Sequence, residues 1–308
     1  MTRSTAVTAL ALAILFPPPA PAQQPDFSKV EVRAEKLAEG VYMLSGYGGN
    51  IGVSAGPDGV FLIDDQYAPL TPKIKAAVAA ISPQPVRFVL NTHWHFDHTG
   101  GNENLGGSGA LIVAHDNVRK RMSVDQFIEA FGMKVPASPA VALPVVTFSE
   151  TVTFHLNRDE IHAYHVPPAH TDGDSIVVFR KADVVHMGDL FFNGLYPFID
   201  VSSGGSLEGM IAAADAALGK IGESTRIIPG HGPAARRADL VAYRDLLVAV
   251  RDKVKPLVAA GKTLAEVQAA RPTAQWDEKW GQGFLKPEQF VAIVYASLGG
   301  KASVPSPK

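Results

Sequence analysis

Short apolar runs separated by glycine-containing or polar turns recur along the chain, and they predict two series of β-strands. Apolar runs of roughly four to eight residues indicate buried strands, and alternation of apolar and polar positions indicates half-buried ones. The first series is expected at 41–46, 50–56, 59–65, 86–93 and 110–115, and the second at 151–157, 161–166, 175–179, 183–189 and 225–232.

Helical patterns lie between and after these strands. Thr71 followed by Pro72 predicts a helix start with Thr71 as the N-cap, and another helix is expected from Ser206, where apolar residues recur on one face. The stretch 127–146 is rich in proline and small residues, which predicts a loop or lid rather than a linker between domains. Because strands and helices recur in two similar halves without a break in composition, the predicted fold class is α/β, in one domain of sheets flanked by helices.

The first 22 residues have the composition of a secretory signal peptide. Arg3 gives a positive start, Ala6–Phe16 is almost entirely apolar, and Ala20-Pro21-Ala22 supplies a cleavage signal of small residues. The apolar run is shorter than the ~20 residues that span a bilayer. We therefore expect cleavage before Gln23, a mature domain over residues 23–308, a periplasmic or secreted location, and no integral membrane segment after cleavage.

Composition narrows the range of partners. The 308 residues are 46% hydrophobic and 19% charged, as expected for a well-buried globular chain. The formal net charge of −2 gives no electrostatic basis for binding nucleic acid, so small molecules are the expected partners. The sequence contains no cysteine, which excludes disulfides, thiolate metal ligands and a cysteine nucleophile.

Three of the ten histidines are crowded into the segment 91–101, which reads NTHWHFDHTGG. The segment follows a predicted strand, so alternation is expected to place His93, His95 and Asp97 on one side. A turn at His98 would then let Asp97 and His98 face a second point in space. This spacing indicates a loop that can serve two metal ions.

Further ligands are needed, because a catalytic zinc ion typically has about three protein ligands and a water. Candidates lie at or beyond the ends of predicted strands, where α/β folds build their sites: His170 in AHTDGD, Asp189 in MGD and His231 in PGHG. The H-x-H-x-D-H segment and these three motifs, in this order, resemble the metallo-β-lactamase superfamily. The resemblance covers nearly the whole chain after residue 22.

The resemblance implies a four-layer αβ/βα sandwich with two zinc ions per chain at one edge of two facing sheets. Matched motif by motif, the first ion would be held by His93, His95 and His170, the second by Asp97, His98 and His231, and Asp189 would bridge the two. Two such ions about 3.5–4 Å apart can share an acidified hydroxide that attacks a carbonyl group. Asp97 is the expected catalytic residue, because it would also orient this nucleophile.

The expected function is therefore an exported dizinc hydrolase of a small ester, lactone, thioester or β-lactam-like amide. Fold alone does not choose among these substrates. The GD motif at Asp189 is closer to the hydroxyacyl-glutathione hydrolases than to the lactamases that place a cysteine ligand there. However, no basic C-terminal segment for binding substrate is evident.

Two other functions remain open. A mononuclear iron oxidoreductase of the persulfide dioxygenase type would need only His93, His170 and Asp189. The presence of the second set of predicted ligands favours the dizinc hydrolase over this alternative. A non-catalytic metal-binding module is the second alternative.

We expect mainly structural roles for several other side chains. Trp94 and Phe96 are expected in the core. Asp64 is expected either to orient a ligand histidine or to cap a turn, and Asn193 and Tyr196 either to face substrate or to hold a loop. The other five histidines are expected to be packed or at the surface: His115, His155, His162, His165 and His186.

Overall fold

The computed structural model describes residues 26–300, and the leader predicted at 1–22 lies outside the described residues. The described residues form fourteen strands: β1 (Arg33–Ala38), β2 (Val41–Ser45), β3 (Ile51–Gly56), β4 (Gly59–Ile63), β5 (Val86–Asn91), β6 (Leu111–His115), β7 (Gln126–Ile128), β8 (Met133–Val135), β9 (Val146–Phe148), β10 (Thr151–Leu156), β11 (Asp159–His165), β12 (Ser175–Phe179), β13 (Val184–Phe192) and β14 (Arg226–His231). They also form nine α-helices: α1 (Thr71–Ile81), α2 (Phe96–Thr99), α3 (Asn102–Gly107), α4 (Asp116–Met122), α5 (Leu207–Leu218), α6 (Arg237–Ala259), α7 (Leu264–Ala269), α8 (Asp277–Trp280) and α9 (Pro287–Ser297). None of these helices is long and apolar enough to cross a bilayer.

Two sheets carry the fold. The strand order is β1-β2-β3-β4-β5-β6-β9 in the first sheet and β10-β11-β12-β13-β14 in the second. Strands β4, β5, β6 and β9 run parallel to one another, as do β13 and β14, and the other neighbours are antiparallel. The carboxyl ends of the parallel strands therefore define one edge of each sheet, where α/β folds place their sites.

Alternating side chains of the two sheets build three hydrophobic layers. Phe61 and Leu90 of the first sheet meet Val177 and Ile228 of the second between the sheets. The opposite face of the first sheet, which includes Leu62, packs against α1 and α3. The opposite face of the second sheet is covered by α5, α6 and α9. This arrangement confirms the predicted α/β class and the four-layer αβ/βα sandwich.

Hydrogen bonds join the two sheets beside the strand ends. Asn50, which lies just before β3, donates from its backbone N to the carbonyl oxygen of Gly230 at 2.7 Å and from its side-chain amide to that of Pro229 at 2.9 Å. His186 is fully buried, and its Nε2 donates to the carbonyl oxygen of Asn50 at 3.1 Å. His186 is therefore a packed histidine, as predicted, and it helps to hold β13 and β14 against the first sheet.

Some local predictions differ from the structure. The helix expected from Ser206 is present as α5, and Ser206 is its N-cap, because its Oγ accepts a hydrogen bond from the backbone N of Gly209 at 3.0 Å. Thr71, in contrast, is the first residue of α1 and not its N-cap, and its hydroxyl accepts from Asn104 Nδ2 at 3.1 Å. The stretch 127–146 is not wholly irregular, since β7 and β8 form an antiparallel hairpin at its start.

Replacing Phe179, which is fully buried between the sheets, with alanine should lower the free energy of unfolding by about 3–5 kcal/mol, because contacts are lost and a cavity remains. Urea denaturation followed by circular dichroism measures the change. Phe127→Ala is the control, since Phe127 is 50% exposed and should change stability by less than about 0.5 kcal/mol. Equal losses in the two variants would contradict the position of Phe179 in this core.

Candidate metal centre

The segment that follows β5 supplies four of the seven predicted ligands. His93 and His95 leave the strand, and the helical turn α2 begins directly after His95, closed by Thr99 N donating to the carbonyl oxygen of His95 at 3.1 Å. The chain therefore turns earlier than predicted, and Asp97 does not share the side of His93 and His95 by simple alternation. The helical turn instead directs Asp97 and His98 together toward a second point.

The structure brings all seven predicted ligands together in two adjacent groups. The first group contains His93, His95, His170 and Asp189, and the second contains Asp97, His98 and His231. Within each group, the potential ligand atoms lie within 4.8 Å of one another. Among residues 26–300, neither group includes any of the other five histidines.

Asp189 lies between the two groups. Its Oδ2 is 3.5 Å from His170 Nε2 and 3.8 Å from His93 Nε2, both in the first group. Its Oδ1 is 3.0 Å from His98 Nε2 and 3.4 Å from His231 Nε2, both in the second. Gly230 permits this approach, because a Cβ there would collide with the Asp189 carboxylate. Asp189 thus occupies the position that a bridging ligand needs.

Polar partners fix the proton on the outer ring nitrogen of three ligand histidines. His98 Nδ1 donates to Asp64 Oδ2 at 2.8 Å, and His95 Nε2 donates to Asp200 Oδ2 at 3.0 Å. His170 Nδ1 donates to a backbone carbonyl oxygen at 2.8 Å. Because carboxylate and carbonyl oxygens only accept hydrogen bonds, the inner nitrogens of His95 and His170 are left, in the neutral rings, with lone pairs that face the centre.

The inner nitrogens of the first group lack partners that could satisfy them. His93 Nδ1 donates to Thr92 Oγ1 at 3.0 Å, and His93 Nε2 is buried without a hydrogen-bond partner among the described residues. His95 Nδ1 and His170 Nε2 lie only 2.9 Å apart. Two lone pairs at this distance repel each other, and an unpaired buried nitrogen costs free energy. A cation held by all three nitrogens would remove both costs, so this donor set fits a metal ion.

Burial keeps two histidines of the first group neutral. It lowers the pKa of His93 well below the usual 6.5 and the pKa of His170 to about 4. Neutral imidazole is the form that binds a metal ion. The first group is therefore ready to accept a cation at neutral pH without releasing protons from these two rings.

Nearby carboxylates determine the protonation of the two histidines in the second group. Burial alone would lower the pKa of His98, but the surrounding carboxylates, Asp189 foremost, raise it well above its usual range. In the same way Asp189 and Asp97 raise the pKa of His231 to about 9. Burial would raise the pKa of Asp97, but His98 and His231 lower it to about 2. This concentration of negative charge attracts a cation, which would displace protons from the two histidines.

Asp64 takes the first of the two roles considered for it from sequence, because it orients a ligand histidine, and it also binds the chain at the end of β5. It is fully buried directly after β4, where its Oδ1 accepts from the backbone N of Thr92 at 2.7 Å and its Oδ2 from the Thr92 hydroxyl at 2.8 Å. The same Oδ2 accepts from His98 Nδ1. Asp64 therefore fixes the end of β5 and orients a ligand histidine through one carboxylate.

Asp200 and Asp174 are site residues that the sequence analysis missed. Asp200 holds His95 as described, and Asp174 Oδ2 accepts from the backbone N of His170 and of Thr171 at 2.7 and 2.8 Å. Burial raises the pKa of Asp174 to about 7. The available signals were the aspartate of DVSS at 200–203 and the second aspartate of TDGD at 171–174, and both patterns are common in ordinary turns.

For Asn193 and Tyr196 the structure selects the structural role. Tyr196 is buried, and its hydroxyl donates to Asp277 Oδ1 at 2.8 Å. Asn193 Nδ2 donates to the carbonyl oxygen of Pro233 at 3.0 Å. Neither side chain lines the cleft beside the metal centre.

A cleft of 340 Å³ leads to both groups of ligands. Four of the predicted ligands line it: His95, Asp97, Asp189 and His231. Trp94 is buried in the core, as predicted. Phe96 departs from its prediction only in part: it packs against the core, as expected, but it is only partly buried and also lines the cleft. The reason is the start of α2 at this residue, which ends the alternation that would have turned the ring inward.

Comparison with known proteins finds a family and several relatives for this chain. The sequence profile of the Metallo-beta-lactamase superfamily matches residues 44–260. A hydroxyacylglutathione hydrolase from Polaromonas sp. (strain JS666 / ATCC BAA-500) is 27% identical over 208 residues, which cover 64% of this chain and 71% of that protein. The probable metallo-hydrolase YqgX from Bacillus subtilis (strain 168) is 28% identical over 150 residues, which cover 47% of this chain and 68% of that protein.

Solved structures share the fold. A metallo-beta-lactamase from Pontibacter korlensis has a TM-score of 0.58 at 19% identity, covering 71% of this chain and 99% of that chain. The sec-alkylsulfatase Pisa1 from Pseudomonas sp. has a TM-score of 0.64 at 19% identity, covering 89% of this chain and 51% of that chain. At this identity the likeness concerns the fold alone. Because the profile match spans most of the chain and agrees with the architecture and the ordered motifs, this protein belongs to the metallo-β-lactamase superfamily.

Proposed function

We propose that this protein is an exported hydrolase that uses two zinc ions to cleave a small ester, lactone, thioester or β-lactam-like amide. The observation that carries the proposal is the pair of inner nitrogens on His95 and His170, held 2.9 Å apart within two adjacent groups of ligands. Relatives named as a hydroxyacylglutathione hydrolase and a probable metallo-hydrolase support a hydrolytic reaction. The leader predicted from residues 1–22 supports export.

The donor set favours zinc among the common metal ions. The two groups contain five histidines and two aspartates. Zinc binds imidazole nitrogen and carboxylate oxygen readily, whereas calcium and magnesium prefer oxygen ligands throughout. The bridging position of Asp189 supports two ions over one.

When bound, two zinc ions supply an acidified water nucleophile and a Lewis acid for a carbonyl oxygen. The side chains of the protein position the reactants around them. Asp97 is 19% exposed and lines the cleft, and its Oδ2 lies 3.4 Å from His231 Nε2. As a carboxylate with a pKa of about 2, Asp97 accepts a hydrogen bond from the attacking water and fixes its orientation.

The iron oxidoreductase alternative needs only a subset of these ligands. A mononuclear site built on the first group would leave Asp97, His98 and His231 as a largely buried cluster of charges without a cation. Burying such a cluster costs free energy. Binding of a second metal ion would account for its presence. The retention of the second group therefore favours the dinuclear hydrolase.

Metal content and turnover test the proposal together. The mature protein should contain about two zinc ions per chain and hydrolyse at least one member of a panel of esters, lactones, thioesters and β-lactams. Chelation should abolish this turnover, and zinc should restore it, with metal measured by mass spectrometry. Iron at about one per chain with substrate-dependent oxygen uptake would identify the oxidoreductase instead. Fully loaded protein without turnover on the whole panel would identify a non-catalytic module.

Replacing Asp97 with alanine should reduce kcat/KM by at least ~100-fold, because a ligand and the group that orients the water are lost together. Far-ultraviolet circular dichroism should remain unchanged, since Asp97 is partly exposed and lies in a single helical turn. Asp252→Ala, at an exposed position on α6, is the control and should retain full activity. Unchanged activity in the Asp97 variant would refute the assignment.

Asp200 should influence the metal centre through His95. Asp200→Ala should weaken zinc affinity by roughly 10–100-fold, because His95 loses the acceptor that fixes its orientation. Asp200→Asn should have a smaller effect, since the amide oxygen still accepts from the ring but carries no charge. Competition with a chromogenic chelator measures the affinities, and identical affinities in wild type and both variants would remove Asp200 from the metal centre.

A further inference from the structure

The cleft beside the metal centre has apolar walls. Apart from the predicted ligands, its large lining residues are aromatic or apolar, among them Tyr47, Tyr67, Phe131, Met133, Phe198 and Phe284. The charged or chargeable lining groups other than tyrosine belong to the predicted ligands, and no lysine or arginine of residues 26–300 lines the cleft. A substrate group that extends away from the metal centre therefore meets no cation.

The hairpin of β7 and β8 forms one of these walls. Ile128 and Met133 point into the cleft, whereas Phe127 and Lys134 line a separate cavity on the other side of the hairpin. The two faces follow from the alternation of side chains along each strand. The one lysine of the hairpin is thus directed away from the substrate side.

The wall is fixed to the body of the protein. Gln126 Nε2 donates to the carbonyl oxygen of Arg121 at 3.0 Å at the base of the hairpin. At its tip, the ring of Phe131 lies 4.7 Å from the ring of Phe198. The carbonyl oxygen of Phe198 in turn holds His170 Nδ1 at 2.8 Å. The apolar wall is therefore positioned directly against the loop that orients a metal ligand.

We infer that the cleft selects small substrates whose part beyond the scissile bond is uncharged and apolar, such as aromatic or short aliphatic acyl esters and lactones. The inference rests on the proposed hydrolase function. A charged group placed against these walls would lose hydration without gaining a partner. The volume of 340 Å³ is near the low end of the roughly 300–1,000 Å³ found for small-molecule sites, which favours a small acyl group.

The inference separates this chain from its named relatives in one respect. Glutathione carries carboxylates and an ammonium group, and a glutathione thioester would need partners for these charges. Apart from the predicted histidine ligands, the cleft provides no basic residue within the described part of the chain. Glutathione thioesters should therefore be poor substrates, although relatives named hydroxyacylglutathione hydrolase share part of the sequence.

Matched pairs of substrates test the inference on the zinc-loaded mature protein. One pair is p-nitrophenyl pentanoate and mono-p-nitrophenyl glutarate, and another is a chromogenic cephalosporin and its methyl ester. The neutral member should have a kcat/KM higher by roughly tenfold or more, since an unpaired charge is costly to bury. Equal values, or a preference for the carboxylate, would overturn the inference while leaving the hydrolase intact. Absence of turnover on every member would instead contradict the proposed function, and the inference with it.

A charge on the wall provides a second test. Phe131→Lys should shift the ratio of kcat/KM values toward the carboxylate substrate by roughly tenfold, because it supplies the missing partner. Phe127→Lys is the matched control, with the same substitution on the outer face of the same hairpin, and should leave the ratio unchanged. Both side chains are well exposed, at 43% and 50%, so both variants should fold. An equal shift in the two variants, or none in Phe131→Lys, would contradict the role of this wall.

Discussion

Two ring nitrogens held 2.9 Å apart with lone pairs facing each other are the constraint around which this structure is arranged. The pair persists because each ring is held from its far side, His95 by a carboxylate and His170 by a carbonyl oxygen. A ring free to rotate would relieve the repulsion by turning away. The fixed orientation therefore stores an unfavourable contact that a shared cation converts into a favourable one, which is how a preorganised metal site differs from a chance cluster of histidines.

The constraint also explains why two sheets are needed. His95 follows a strand of the first sheet, whereas His170 and Asp189 belong to the second. Neither half alone contains a complete group of ligands. The hydrogen bonds from Asn50 to the end of β14, reinforced by buried His186, hold the two halves in the register that brings the ligands together. The unfavourable contact at the centre is thus sustained by hydrogen bonds from Asn50 and His186 to backbone carbonyl oxygens a short distance away.

Sequence patterns predicted the strands, which recur along the chain, and the ligand motifs, which occur in a fixed order. The two strand series followed from apolar runs, and the seven candidate ligands from motifs at strand ends. The four layers followed from the resemblance to the superfamily. A single helical turn has no periodicity, so the start of α2 at Phe96 could not be seen. Strands β7 and β8 have three residues each, which is likewise too short for a recognisable periodicity. Asp200 lies 105 residues from His95, and no local pattern reports a contact over that separation. The predicted signal peptide remains a prediction.

The hairpin of β7 and β8 has a further consequence. Within residues 26–300 these two strands pair with each other and with neither large sheet, so the hairpin and the strands that lead to the predicted ligands belong to separate sheets. Mutations that reshape the wall leave the ladders that align the ligands untouched. In evolutionary terms, the choice of substrate can therefore change through side chains of the hairpin while the strands that lead to the predicted ligands keep their pairing.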